Sequence, residues 1–268
     1  MNFIGIIPAR YASTRFPGKP LAIVGGKPMI QRVYEQATKA LETVVVATDD
    51  ERIMNCVQRF GGNAVMTSPD HPCGTNRCYE AYRKLRYKDI SHTDADYADD
   101  VIINIQGDEP FIEPSQIEIL KSCFPTDIAT LVTPFRKADG IEALLNPNSP
   151  KVLMSQQQTE DGNNHYRALM FSRSVIPYYR GIAQEKWLEE AERRKTPFWK
   201  HIGMYAYRAD VLQRIVALPM SALEKAESLE QLRWLEAGYE IRAAITEHRT
   251  IGIDTPEDLK KANLNLCY

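Results

Sequence analysis

Short apolar runs separated by stretches of helical periodicity recur through the first half of the chain, and this alternation limits the fold more than any other feature. Phe3–Ile7, Val44–Ala47, Asn63–Met66, Val101–Ile105 and Ile128–Val132 read as strands, being short and rich in β-branched residues. Between them, Ile30, Val33, Tyr34, Ala37 and Leu41 fall on one helical face, as do Ile53, Val57 and Phe60, and later Ile117, Leu120 and Phe124. Pro28 and Pro114 suit first-turn positions, where the missing N–H has no intrahelical partner to lose. A strand–helix–strand chain packs by right-handed crossovers, which predicts an α/β fold with a mostly parallel sheet covered by helices. Tyr87–Asp100 is polar and aperiodic, the pattern of an exposed loop.

The second half changes style. Asn146-Pro-Asn-Ser-Pro150 is turn-rich, Val152–Met154 and Ala168–Phe171 read as strands, and Glu160–Asn164 reads as a hairpin turn between them. Gln184–Arg194 is a charged helical insertion and Ile202–Tyr207 another strand. Helices follow at Asp210–Ala217 and Ala222–Ala237, then strands at Ile241–Ile245 and Thr250–Ile253, and a last helix near Thr255-Pro256-Glu257-Asp258. The expected organisation is a single domain over 1–268, with a core from about 1–145 and 209–268 and a smaller mixed appendage over about 146–208.

Chemistry concentrates at the strand ends. The run Phe3–Ile7 ends in a loop that holds Arg10, Ser13, Arg15 and Lys19, stiffened by Pro8, Pro17 and Pro20 and kept open by Gly18. Open α/β sheets bind ligands at the carboxyl ends of their strands, and cations with free N–H groups suit a polyphosphate. A solvated basic loop is the plainer alternative. Ile105-Gln106-Gly107-Asp108-Glu109-Pro110 follows a second strand. Its carboxylate at Asp108 suits Mg²⁺, which takes one or two carboxylates and fills the rest of its shell with water and phosphate; ordinary turn chemistry is equally open. Asp254 stands at a third strand end, where it can equally serve a helix N-terminus.

Composition narrows the classes. A net charge of −2 opposes general nucleic-acid or anionic-membrane binding, so the basic loop is a local device. No apolar stretch reaches the roughly 18 residues of a spanning helix, and the N-terminus lacks the pattern of a secretory signal. Five scattered cysteines, never in a C-x-x-C pair, read as reduced thiols of a cytoplasmic protein. There is no G-x-G-x-x-G after the first strand, no Walker loop, no G-x-S-x-G and no H-E-x-x-H. Gly25-Gly26-Lys27 is a turn, and the five histidines show no ligand spacing. What remains is metal-assisted displacement at phosphorus.

The opening Ile7-Pro-Ala-Arg10-Tyr-Ala-Ser-Thr-Arg15-Phe-Pro-Gly-Lys19-Pro20 resembles the signature of the sugar-activating cytidylyltransferases, and among them those acting on 3-deoxy-D-manno-octulosonate (Kdo). Val46-Ala-Thr-Asp-Asp50, Gly74-Thr75 with Arg77, Gln106–Pro110, Phe171-Ser-Arg173-Ser, His201–Arg208, Ser228–Arg233 and Ile253–Asp258 agree in order. The resemblance implies a Rossmann-like nucleotidyltransferase fold, a homodimer and Mg²⁺. Its implied reaction makes CMP-Kdo and pyrophosphate from CTP and Kdo, for lipopolysaccharide. By matching positions, Arg10 and Lys19 would hold the triphosphate with Ser13 and Arg15 nearby. Thr48, Gly74, Thr75 and Gln106 would surround cytosine and ribose, with Arg77 on the nucleotide side. Asp108 and Asp254 would bind magnesium, and Arg173, His201, Tyr205, Glu230 and Gln231 would line the sugar pocket.

Two positions depart from the pattern. Cys73 and Asn76 stand where the family usually has Ser and an acid, replacing a hydroxyl by a weaker thiol donor and a charge by an amide. The stretches Tyr87–Asp100 and Gln184–Arg194 are also longer than usual. Alternatives remain open at this level. A metal-dependent glycosyltransferase would favour a D-x-D arrangement, which Gly107-Asp108-Glu109 lacks. A nucleotide-sensing module would need neither paired carboxylates nor a second pocket. A cytidylyltransferase for another keto-sugar acid, such as 8-amino-Kdo, is nearest of all.

Overall fold

The computed structural model describes residues 1–13, 15–86, 99–158, 165–249 and 252–266. The chain divides into two units. One comprises Met1–Lys121, Met204–Val216 and Thr250–Tyr268; the other comprises Ser122–Gly203 and Ala217–Arg249. The second contains residues 146–203 of the expected appendage.

In the first unit the strand Asn2–Ala9 lies at the centre of a parallel group. It pairs with Thr43–Thr48 on one side and Asp100–Asn104 on the other, and Thr43–Thr48 pairs in turn with Ala64–Met66. Ile4, Ile6, Val44 to Val46 and Val101 to Ile103 are fully or almost fully buried, as expected of parallel strands covered on both faces. The carboxyl-terminal part of Trp199–Arg208 adds an antiparallel neighbour beside Asp100–Asn104. Helices Met29–Ala37, Glu51–Arg59, Gly74–Arg86 and Pro114–Ser122 follow the strands in the expected alternation. Pro114 opens its helix, whereas Pro28 stands one residue ahead of its own, as the cap. Gly25 and Gly26 both take positive φ in the two-residue turn between the short strands Ile23–Val24 and Lys27–Pro28, a conformation that glycine adopts without strain.

Three expectations change. The sequence pattern predicts no helix over Gly74–Arg86, yet one forms there, with Thr75, Cys78, Ala81 and Tyr82 on its buried face. The stretch expected as one helix over Ala222–Ala237 is two, Ala222–Glu227 and Gln231–Glu236, because Ser228 takes a left-handed conformation at φ 50° and ends the first. Thr250–Ile253 is not a strand where it is described. Gly252 to Asp254 are irregular, and the Ile253 N–H bonds the Asp108 carbonyl at 2.9 Å instead of a ladder partner. Ile253 is nonetheless fully buried against Val24, Met29 and Ala262. The expected turn over Glu160–Asn164 and nearly all of the Tyr87–Asp100 loop lie outside the described residues.

The second unit is mixed. Ile241–Ile245 pairs parallel with Ile128–Pro134 and antiparallel with His165–Ser172, which pairs antiparallel with Lys151–Gln158. The charged insertion forms a helix at Trp187–Arg194, anchored by Trp187, Leu188 and Ala191 against Phe135, Leu144, Tyr179 and Phe198. Its polar residues cover an apolar stripe, so the insertion carries a small core of its own.

Candidate active site

In the first unit a cleft of about 270 Å³ opens at the carboxyl ends of the central strands. Arg10, Ser13, Arg15 and Lys19 line it from the first loop, His71, Cys73, Gly74 and Arg77 from the approach to and first turn of the third helix, and Gln106, Gly107, Asp108 and Asp254 from two further loops.

The first loop is held in shape by local contacts. Gly18 takes a left-handed conformation at φ 71°, and its N–H bonds the Tyr11 carbonyl at 2.9 Å. The Arg52 guanidinium lies 3.3 Å from the centre of the Tyr11 ring, a cation–π contact that ties the loop to the second helix. Lys19 then begins a short 3₁₀ turn and points at two acids. Its Nζ donates to Asp108 Oδ2 at 2.7 Å and to Asp254 Oδ1 at 3.1 Å. Arg15 donates to both oxygens of Asp254 at 3.2 Å.

Backbone contacts bring those acids together. The Ile253 N–H to Asp108 carbonyl bond joins their two loops. Asp254 is followed at once by the last helix, whose start is fixed by reciprocal bonds between Thr255 and Asp258, a capping box in form. Gly107 permits the close approach of its loop to the first strand, since a Cβ there would stand 3.0 Å from the Pro8 carbonyl oxygen. Arg10 is exposed and makes no ion pair among the described residues. The cleft thus gathers the carboxylates of Asp108 and Asp254 and the cations of Arg10, Arg15, Lys19 and Arg77 around space for an anionic ligand. The donor set suits Mg²⁺: two carboxylates, already drawn together around a cation, match an ion that takes one or two acids and fills its shell with water and phosphate.

Not every expected nucleotide residue lines this cleft. Thr48 and Thr75 are buried, and neither is among its lining residues. The Thr48 hydroxyl accepts from the Asp50 N–H at 3.3 Å. Arg77 reaches the cleft wall, but its guanidinium donates to Thr67 Oγ1 at 2.6 Å and to Asp49 at 2.7 Å. It holds the helix to the neighbouring strand ends.

The expected sugar-side residues are spread differently. Tyr205 belongs to the first unit, stacked on Tyr207 with ring centres 5.8 Å apart. Arg173, His201, Glu230 and Gln231 belong to the second. Arg173 donates to the carbonyls of Glu227, Pro147 and Ser228 at 2.5, 2.9 and 3.2 Å. Beside it, buried Lys151 donates to the carbonyls of Asn146 and Arg173. Burial, aided by the Arg173 charge and opposed by Glu227, pushes its ammonium down to about 8. The His201 ring meets Thr130 Oγ1 at 3.2 Å and stands edge-on to Phe171; desolvation pushes its pKa down to about 3, so it is neutral near pH 7. Glu230 accepts from Arg233 at 2.5 Å, and Arg233 also pairs with buried Glu224 at 3.2 Å. Gln231 is buried, and its Nε2 has no hydrogen-bond partner among the described residues.

The family profile described as cytidylyltransferase matches residues 4–242. The chain belongs to the cytidylyltransferase family. It is 59% identical over 266 residues to the 3-deoxy-manno-octulosonate cytidylyltransferase of Parabacteroides distasonis, covering 98% of this chain and 97% of the relative. It is 42% identical over 272 residues to the 8-amino-3,8-dideoxy-manno-octulosonate cytidylyltransferase of Shewanella sp. ANA-3, covering 100% and 99%. Among solved structures, a CMP:2-keto-3-deoxy-manno-octonic acid synthetase complexed with CTP matches with a TM-score of 0.81 and 40% identity, over 100% of this chain and 99% of that one. The protein is therefore a nucleotidyltransferase with an α/β fold.

Within this cytidylyltransferase, His71 also lines the cleft, although no sequence motif singles it out. Its Nε2 faces Glu80, which also accepts from the Ser68 N–H at 2.9 Å and pairs with Lys84 at 2.6 Å. Burial alone would raise the Glu80 carboxyl, but Lys84, Ser68 and His71 together hold it down to about 2. Glu80 and Lys84 stand four residues apart on the third helix, the spacing that lets them pair. The two departures from the family pattern meet each other: the Cys73 thiol lies 2.9 Å from Asn76 Oδ1 across the start of that helix. Among the described residues, no group of three or more His, Cys, Asp or Glu is placed to hold a metal by itself, so a metal here needs ligand oxygens from substrate or water.

Proposed function

We infer that this enzyme transfers CMP from CTP to the anomeric hydroxyl of Kdo, releasing pyrophosphate and supplying CMP-Kdo for lipopolysaccharide synthesis. The observation that carries the reading is the single cleft in which Lys19 bridges Asp108 and Asp254 while Arg10, Ser13, Arg15 and Gln106 line the same space. The relatives named for Kdo, at up to 59% identity, support the sugar.

In this reading the sugar hydroxyl attacks the α-phosphorus in line and pyrophosphate leaves. Arg10 and Lys19 bind the triphosphate and neutralise the charge that gathers on the leaving group, with Ser13 and Arg15 beside them. Gly74 and Gln106 face cytosine and ribose from the cleft wall; Thr48, Thr75 and Arg77 support that wall from behind. Asp108 and Asp254 would hold Mg²⁺, which would supply Lewis-acid stabilisation of phosphate charge. Gln231, with its orphaned buried amide, offers a donor for a sugar hydroxyl. Glu230 and His201, the last as a neutral imidazole, are the second unit's further sugar-side candidates, and Tyr205 is the first unit's. Arg173 shapes that side through the carbonyls it gathers.

The finer features belong to the same reading: a Rossmann-like core, a single catalytic domain and a cytoplasmic homodimer. The deciding experiment is pyrophosphate release with CTP, UTP and ATP crossed against Kdo, 8-amino-Kdo and sialic acid. Mg²⁺-dependent release with CTP and Kdo is expected. Preference for 8-amino-Kdo would move the reading to that sugar, and no release with any acidic sugar would overturn it.

A further inference from the structure

The two carboxylates assigned to a divalent cation already hold cations of the protein's own. Lys19 Nζ lies 2.7 Å from Asp108 and 3.1 Å from Asp254, and only 15% of its side chain is exposed. Arg15 forks onto Asp254 from outside, with 65% of its side chain exposed. Taken together the four groups are neutral, so a divalent ion added to them makes the cleft strongly positive.

We propose that Lys19 is an internal counter-ion that competes with the divalent cation for Asp108 and Asp254, and that the triphosphate of CTP relieves the competition by drawing Lys19 away. The inference rests on the reading of this cleft as the CTP and magnesium site. The geometry supports a competition because Lys19 occupies one oxygen of each carboxylate, Oδ2 of Asp108 and Oδ1 of Asp254. A divalent ion sharing those oxygens would be repelled by the ammonium, the more so because the Lys19 side chain is largely shielded from water. A triphosphate offers the ammonium an equally good partner. Lys19 lies at the start of a short 3₁₀ turn after Gly18, and its long flexible stem lets the charged head change partners without moving the loop.

The consequence has an unusual sign. Removing a cation from the substrate-binding loop should improve metal binding. Nucleotide-free wild-type protein is expected to bind Mg²⁺ weakly in titration calorimetry. Lys19→Met is expected to bind it on the order of tenfold more tightly, while binding CTP less well. Lys19→Gln serves as a second variant with a different polarity, and thermal melting establishes that each is folded. In Lys19→Met combined with Asp108→Asn, the gain should disappear.

Lys19→Met and Lys19→Gln binding Mg²⁺ no more tightly than wild type would overturn the competition. If Asp108→Asn still weakened Mg²⁺ binding in the presence of CTP, the site reading would survive that failure. A gain in Lys19→Met that persists with Asp108→Asn would show that the metal does not use Asp108, and both the site reading and the proposal would fall.

Discussion

The substitution Gly107→Ala tests whether the cleft depends on how closely two strand ends approach. A Cβ at residue 107 would stand 3.0 Å from the Pro8 carbonyl oxygen and 3.5 Å from Ile7 Cγ2. The first of these is backbone in the central strand, which cannot rotate aside as a side chain can. The 106–108 loop must therefore retreat by a few tenths of an ångström. Overpacking of this kind costs about 1–3 kcal/mol of stability. Asp108 is the next residue, so its carboxylate moves with the loop relative to Lys19 and Asp254. A misplacement of about 1 Å costs roughly 100-fold in rate, and a smaller shift scales to about tenfold. Gly252→Ala is the matched control: it lies two residues from Asp254, and a Cβ there meets nothing within 4 Å. Pyrophosphate release should fall about tenfold in Gly107→Ala, well below the melting transition, and within about twofold of wild type in Gly252→Ala. A folded Gly107→Ala protein with unchanged kcat/KM would refute the close-approach argument.

Asp108→Asn and Asp254→Asn should each nearly abolish turnover while leaving the fold and CTP binding largely intact; full activity at ordinary Mg²⁺ would remove that residue from the metal site. Arg233→Met leaves buried Glu224 without its guanidinium, and urea unfolding should show a loss of about 3–5 kcal/mol. For His201, folded pKa near 3 against an ordinary 6.5 means that the unfolded chain binds the extra proton between those values. Its contribution is therefore fully present above about pH 6.5 and declines as pH falls toward 3. Melting curves of wild type against His201→Gln should converge across that window, by a few kcal/mol at most; parallel curves would place the imidazole in water.

Local chemistry made much of this protein legible. The β-branched runs, the loop carrying Arg10, Arg15 and Lys19, and the acids at Asp108 and Asp254 all declare themselves within a few residues, because strand propensity, turn chemistry and charge are short-range properties. The resemblance to the cytidylyltransferases was likewise readable from ordered motifs, and the family profile bears it out. Helix ends were less legible. The third helix hid behind Cys73, Gly74 and Asn76, whose turn-like character masked the buried spacing of Cys78, Ala81 and Tyr82.

What the sequence could not state is which charges meet. Asp108 and Asp254 are 146 positions apart, yet the Ile253 to Asp108 backbone bond brings their loops together, and Lys19 closes the pair. The same holds for Arg77, a nucleotide-side candidate by motif whose guanidinium goes to Thr67 and Asp49. Residue type sets what a group can do; burial and neighbours select one of those uses. The sequence by itself determined the kinds of groups and the strand ends that deliver them. The tertiary structure decided which cations hold which carboxylates, because an ion pair depends on distances of a few ångströms that only packing sets.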